Sequence, residues 1–414
     1  MESSAAPYRY FGRFLFVSPS RTHADLVTLI ITTSPTPSAP STELLDQILQ
    51  SFDLHCPTLS ECRVILVLDT YDRVGSASRL KKGQVLPEGA ACYEQYKENA
   101  KRVILDHYSR NPGNIVDDND GYDDSAPDLM SISYAEAEYG ADTYHQTTNA
   151  ANLTITRTHD DRIIFIEPAQ RIGFGLAVRS ALRLTTTPYV WIQQHDWSLV
   201  SDIPLGPLLD LMTQQQRFSS ASSDSDPNPD IDTDHPVLSV PIKYVCFPSV
   251  RMLSYAVSAH VRDFAALRAL TNLYKGTFSP PPSSTTTPSQ GPKIKIPLTP
   301  LFFWHDKPHL AETQHYLAQV FPNRLAMPRG GFIEDTVGQR ARDEMKGGLW
   351  RKWACWLYYP DEGKRLCVRH LKGRTWRGTE AEARKKVEWL RRPLSGLKLQ
   401  WLMRAVHEPD CGVQ

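Results

Sequence analysis

The sequence predicts an α/β protein built on a mostly parallel sheet with helices on both faces. Three observations carry that expectation. Short, continuous, β-branched apolar runs recur along the chain, helical spacing fills the stretches between them, and polar residues gather at the carboxyl ends of the runs. Strands buried on both faces read as unbroken apolar runs, whereas a sheet with one wet face alternates.

Residues 26–33 (LVTLIITT) form the first run, and the breaker SPTPSAPS separates it from a helix opening with TELLDQIL, for which Ser41 or Thr42 is the cap. Residues 64–68 (VILVL) give a second strand ending at Asp69, and a helix is expected over 92–108. A third strand, RIIFI at 162–166, leads into a helix over 172–184. On that helix Gly173, Leu176, Ala177, Ser180, Ala181 and Leu184 share one small, apolar stripe suited to close packing on a sheet. The fourth strand, YVWIQ at 189–193, runs into Gln194-His195-Asp196-Trp197. Further on, Leu310, Thr313, Leu317, Val320 and Phe321 have helical spacing, and 380–401 reads as a basic helix with Val387, Leu390, Leu394, Leu397 and Trp401 near one face. In open sheets of this kind sites lie beyond the carboxyl ends of strands, which singles out Thr33, Asp69 and Asp196.

Three polar segments interrupt this pattern. The first, 111–160, carries Asp117, Asp118, Asp120, Asp123, Asp124 and Asp128; the others are SSASSDSDPNPDIDTD at 219–234 and SPPPSSTTTPSQGP at 279–292. Such compositions bury too little apolar surface to offset chain entropy and are expected as loop insertions. Without them about 330 residues remain, which suits a single catalytic domain over 24–404 with terminal segments 1–23 and 405–414 and a C-terminal helical extension.

The 46 Lys and Arg balance 46 Asp and Glu. That excludes a protein built mainly to coat nucleic acid, so no nucleic-acid partner is expected. Neutrality is a cancellation, however: the acidic stretch 117–128 offsets a tail with 13 Lys and Arg against 5 Asp and Glu over 361–404. The basic tail suits a solvated face on a packed helix first and a peripheral contact with an anionic membrane second; phosphate groups and nucleic acid are further contacts it could make. No apolar run reaches the roughly 20 residues of a membrane span. The first 20 residues lack an apolar core of signal-peptide length, and the seven cysteines, without CxxC spacing, suit a reducing compartment. A cytoplasmic enzyme is the expectation.

The segment IGFGLAVRSALRLTTTPYVWIQQHDW, 172–197, resembles the nucleotide-sugar-dependent glycosyltransferases of the GT-A fold, particularly the family 2-like group. The helix supplies Gly175 and Arg179, the turn Pro188, the strand 190–193, and Gln194-His195-Asp196 stands where that group has an acidic DxD-type motif. LVTLIITTSP resembles the group's first strand, which implies Thr33 and Ser34 near base or ribose. VILVLDT resembles the second, with Asp69 facing the nucleoside. GGFIEDTVGQ at 330–339 resembles the later Glu-Asp motif, in which the Asp, here Asp335, is the base of inverting members, with Glu334 orienting it or holding the acceptor.

The resemblance implies transfer of a sugar from a nucleoside-diphosphate donor to a hydroxyl acceptor (glycan, lipid or small molecule), with a divalent cation, Mn²⁺ or Mg²⁺. The leaving diphosphate gains negative charge that a carboxylate-held cation neutralises, and the attacking hydroxyl must lose a proton. Asp196 with His195 is implied at the metal and diphosphate, and His370 resembles the C-terminal His that some GT-A enzymes add there; Lys372 and Arg374 would clamp phosphate, with Arg179 in the same donor-binding set. Trp faces stack on sugar C–H surfaces, so Trp197 and Trp304, with His305 and Asp306, are candidate acceptor contacts, whereas Trp191 reads as core. The sequence departs from the group at Gln194, which leaves one carboxylate; Mg²⁺ would then lean on Asp196, diphosphate and water, whereas Mn²⁺ tolerates an imidazole.

Each residue also has a plain alternative. Asp69 suits a cap at a strand end, Glu334-Asp335 an ordinary first helical turn, His370 a solvated surface, and His305-Asp306 a helix cap. Two other functions stay open: a nucleotidyltransferase on a related sheet, which the absence of Lys and Arg from SPTPSAPS disfavours, and a GT-A-like binding protein without catalysis, for which Gln194 speaks.

Overall fold

A computed structural model describes residues 22–76, 83–109, 130–140, 149–221, 240–280, 294–323 and 326–391. In chain order the elements of the first half are β1 (Val27–Thr33), α1 (Glu43–His55), α2 (Thr58–Glu61), β2 (Arg63–Leu68), β3 (Arg73–Val74), β4 (Gln84–Val85), α3 (Pro87–Ser109), β5 (Ser131–Tyr139), β6 (Asn149–Arg157), β7 (Ile163–Pro168), α4 (Phe174–Leu184), β8 (Tyr189–Gln194) and β9 (Trp197–Leu199). The second half holds α5 (Leu205–Ala221), β10 (Tyr244–Cys246), α6 (Ala259–Arg262), α7 (Ala265–Tyr274), β11 (Gly276–Phe278), β12 (Ile296–Pro300), β13 (His309–Glu312) and α8 (Thr313–Val320). It continues with α9 (Gln339–Glu344), set between π-turns at Glu334–Gly338 and Met345–Leu349, then α10 (Trp350–Trp353), β14 (Cys355–Tyr358), β15 (Val368–His370) and α11 (Thr379–Arg391).

The molecule is α/β, organised around an eleven-stranded sheet in the order β11-β12-β14-β10-β13-β8-β1-β2-β7-β6-β5. Its centre, β8-β1-β2-β7, is parallel throughout. Following the pairings outward, β6, β12 and β13 run against the remaining eight strands, so the sheet is mixed at its flanks. The four central strands are the runs read from the sequence, and all but Arg63, Glu167 and Gln194 at their ends are buried.

Chain direction reverses in the middle of this sheet. The crossover β1-α1-β2 moves one way across it, and β7-α4-β8 moves back past β2 and β1. Right-handed crossovers in opposite directions put α1 and α4 on opposite faces. Accordingly α1, α2 and α3 pack together, whereas α4 packs with α8. α1 begins where expected, with Ser41 Oγ accepting the Glu43 amide (3.3 Å). Residues 174–182 of α4 are buried all round, so its small-residue stripe serves a helix covered on every side.

Two expectations are corrected. The acidic segment 111–160 is not all loop, because β5 and β6 form a nine-residue hairpin that extends the sheet beyond β7. The alternation of NAANLTITR buries Ala151, Leu153 and Ile155 and turns the polar Asn152, Thr154 and Thr156 to the other face. The helix expected from Leu310 begins at Thr313, since Leu310 lies in β13, opposite Trp191. The C-terminal helix is described only to Arg391, so Leu394, Leu397 and Trp401 lie outside the described residues, as do 222–234 and 281–292.

Candidate functional site

The reversal of strand order falls between β1 and β8, where neighbouring loops leave the sheet in opposite directions and open a crevice at the carboxyl ends. β8 delivers Gln194-His195-Asp196 to that point. The turn is fixed from within: Trp191 Nε1 donates to Gln193 Oε1 (3.1 Å), and Gln193 Nε2 donates to the carbonyls of Gln194 and Trp197. His195 is tied to β1, its amide donating to Thr32 O (3.0 Å) and its Nδ1 lying 3.2 Å from the same oxygen.

The C-terminal region returns to this turn. β15 pairs antiparallel with β9, setting His370 opposite Trp197, and the two rings lie 4.8 Å apart. Asp196 Oδ2 then receives His370 Nε2 (2.9 Å) and the Gly373 amide (3.0 Å), while its carbonyl accepts the Leu371 amide (2.7 Å). Lys372 sits in the left-handed region at φ 60°, and that turn aims the Gly373 amide at the carboxylate. A Cβ on Gly373 would lie 2.9 Å from Asp196 Cβ and 3.1 Å from His195 Nε2. Burial pushes the Asp196 carboxyl up, but the His370 hydrogen bond, the two imidazoles and the Gly373 amide outweigh it and hold the group below its ordinary value. Lys372 and Arg374, on the same turn, are exposed.

A second group adjoins the first. Gln194 Nε2 donates to Asp306 O (2.8 Å), and Asp306 Oδ1 accepts the Glu334 amide (3.1 Å) while the Asp306 amide donates to Glu334 Oε2 (3.3 Å). These three hydrogen bonds, all through Asp306, connect the strand leading to Asp196 with the turn carrying Glu334-Asp335. Burial holds His305 neutral, lowering it to about 4, with its Nδ1 3.4 Å from Glu334 Oε1. Burial would raise Glu334, but His305, Lys307 and the Asp306 amide draw it down to about 2. Asp306 is pushed well above the carboxylate range, first by its own burial and then by the charges of Glu334 and Asp335. Asp335 is exposed and has no hydrogen bond or ion pair among the described residues.

Other candidates lie elsewhere. The Asp69 carboxylate accepts the amides of Ile172 (2.8 Å), Gly173 (2.9 Å) and Thr70 (3.0 Å), which makes it a cap under the start of α4, turned inward from the position expected of a nucleoside contact. Burial raises it to about 6 against the pull of those amides. Thr33 is also buried, its hydroxyl on Val67 O (3.3 Å), whereas Ser34 is exposed at the crevice end of β1. Arg179 is 1% exposed and its guanidinium holds Glu138 O, tying α4 to the β5 edge instead of facing a donor. Trp304 is no acceptor platform, because Tyr244, Tyr316 and Trp353 enclose it in the core. Trp191 stacks on Phe247, inside as expected.

Two site groups escaped the sequence reading. The Gly373 amide acts through backbone, and its only signal was the glycine itself, a residue that punctuates local structure. Gln194 is a strap to Asp306, a role visible only once the loop over 301–308 is folded against β8.

As a cation site the first group is sparse. Among the described residues no three His, Cys, Asp or Glu side chains are arranged to hold a metal ion. Two buried atoms without a hydrogen-bond partner, Asp196 Oδ1 and His195 Nε2, nevertheless lie there. An unsatisfied buried polar atom costs about 1–3 kcal/mol, so both favour a ligand that supplies a partner. They fit a cation that draws its remaining ligands from substrate and water. No protein-family profile matches the chain, and no curated protein is significantly similar to it.

Proposed function

We propose that this protein is a glycosyltransferase of GT-A-like architecture that moves a sugar from a nucleoside-diphosphate donor to a hydroxyl acceptor with inversion. The observation that carries this reading is the junction of His195, Asp196, His370 and Gly373 at the strand-order reversal, joined through Gln194 and Asp306 to the Glu334-Asp335 turn. Asp196 Oδ1 and His195 Nε2 would hold a divalent cation at the donor diphosphate, where such an ion neutralises the leaving charge. Lys372 and Arg374 add positive charge on the same turn. Asp335 is the base that accepts the acceptor hydroxyl proton, and Glu334, fixed by His305 and Asp306, sets the turn on which it stands.

The purified protein melted with UDP or GDP, with and without Mn²⁺, tests the donor half. Stabilisation by a nucleoside diphosphate that Asp196→Ala abolishes is the expected result; no stabilisation by either, or stabilisation unchanged in Asp196→Ala, removes this reading. Donor hydrolysis lost in Asp335→Asn tests the acceptor half.

One observation favours a second reading, a binding protein without turnover. Asp196 Oδ2 is already engaged by His370 and Gly373, and Gln194 stands in place of a second carboxylate. Nucleotide binding without hydrolysis or transfer on any acceptor would establish it.

A further inference from the structure

We infer that the face formed by α6, α7 and the turn Met345–Leu349 docks on an anionic lipid surface. This inference does not depend on the sugar-transfer reading. α7 turns Leu267, Thr271 and Tyr274 inward and leaves Ala265, Ala266, Arg268, Ala269, Asn272 and Leu273 exposed. The Met345–Leu349 turn packs beside it: Lys346 Nζ lies 3.9 Å from the centre of the Phe264 ring, and Arg351 donates to Tyr274 Oη (2.8 Å). A Cβ built on Gly347 or Gly348 in that turn would meet nothing within 4 Å.

Large apolar side chains stand in solvent on this face: Val257 is 69% exposed, Leu273 52%, Leu349 51% and Phe264 39%. Cations surround them. Residues 250–275 contain Arg251, Arg262, Arg268 and Lys275 with Asp263 as their one acid, and 340–352 contain five Lys and Arg against Asp343 and Glu344. No carboxylate pairs with Arg251, Arg268 or Lys346 among the described residues. Aliphatic side chains ringed by Lys and Arg match the boundary between headgroups and acyl chains, where apolar burial and attraction to anionic lipid act together. Single-stranded nucleic acid would instead call for several aromatic faces on which bases stack, whereas among the described residues of this face Phe264 is the one exposed large aromatic, with Lys346 over one side of its ring. The face also adjoins the site, since the Phe302 amide donates to Tyr255 Oη (3.1 Å), just ahead of α6 and four residues before Asp306.

The test is co-sedimentation of the full chain with vesicles of phosphatidylcholine alone and of phosphatidylcholine with one quarter phosphatidylserine. Binding is expected only to the anionic vesicles, weakened by high salt. It should fall on the order of tenfold in Arg268→Glu/Lys346→Glu and again in Leu273→Ser/Leu349→Ser, with melting temperatures close to wild type because Arg268, Leu273 and Leu349 are exposed and Lys346 is only partly buried. Failure to bind anionic vesicles, or binding that neither double variant weakens, overturns the inference. Binding to a single-stranded oligonucleotide, unaffected by the leucine changes and without vesicle binding, overturns it in favour of a nucleic-acid surface.

Discussion

Asp196 is kept ionised by its neighbours, and the most confining of them has no side chain. Because a Cβ on Gly373 would fall 3.0 Å from Asp196 Oδ2, Gly373→Ala should displace either the carboxylate or the turn that caps it. We expect a cost of about 1–3 kcal/mol and loss of nucleoside-diphosphate stabilisation, both read from melting curves with and without UDP or GDP. Asp69 invites a titration. Its folded value, about 6, lies above the ordinary 3.8, so the native state binds the extra proton between those limits. Stability contributed by Asp69 is therefore fully present below pH 4 and falls as pH rises towards 6. The stability difference between wild type and Asp69→Asn should shrink by about 2–3 kcal/mol across that window and stay level above it, as urea unfolding at stepped pH would show. These roles differ in how far the sequence could disclose them. A carboxylate after a buried strand reads equally as cap or ligand, and only the amides that reach it decide. Trp304 was misread for a similar reason: nothing along the chain shows that Tyr244, Tyr316 and Trp353 enclose it.

Between elements the site depends on close approaches through glycine. At the start of α4, Gly173 has φ 81° and a Cβ there would lie 2.4 Å from Gly330 Cα, so the Gly330-Gly331 turn leading to Glu334 rests directly on the helix. The π-turn Glu334–Gly338 is pressed against the 301–308 loop in the same way, since a Cβ on Gly338 would lie 2.7 Å from both the Phe303 ring and Trp304 O. Gly338→Ala should move the Glu334-Asp335 turn while leaving Asp196 in place. The expected result is reduced sugar transfer or donor hydrolysis with nucleoside-diphosphate stabilisation retained, and a stability loss of about 1–3 kcal/mol. Loss of both properties together would show that the two groups are less separable than their hydrogen bonds imply. The four central strands and α4 were legible because an unbroken apolar run has few other folded fates. β5 and β6 were not, because Ala, Asn, Ser and Glu alternate there beside an acidic stretch whose composition points to loop. β13 was hidden by its continuity with α8, for Leu310 extends the helical spacing backward into a strand four residues long.

Across the whole molecule one contiguous apolar cluster reaches from Leu45 and Ile104 over the central strands to Trp350 and Trp356. The two flanks of the sheet should therefore melt together. Trp304, Trp350, Trp353 and Trp356 report on the β12–β14 side, so tryptophan fluorescence and far-UV circular dichroism are expected to trace coincident transitions. A separate earlier fluorescence transition would show that this side opens alone. The α/β class and the central parallel strands could be anticipated because local patterning carries them. The mixed flanks could not, since β10–β14 are each five residues or fewer and their pairing joins segments up to 123 residues apart, as Tyr189 with Glu312.

The ribbon of β9 and β15 has a consequence in time. A growing polypeptide that has reached Tyr358 already contains every strand of the eleven-stranded sheet, yet His370 and Gly373 are still to be synthesised. Assembly of the scaffold can thus run ahead of assembly of the Asp196 junction, and premature termination between these points would yield a folded body lacking both groups that hydrogen-bond the Asp196 carboxylate.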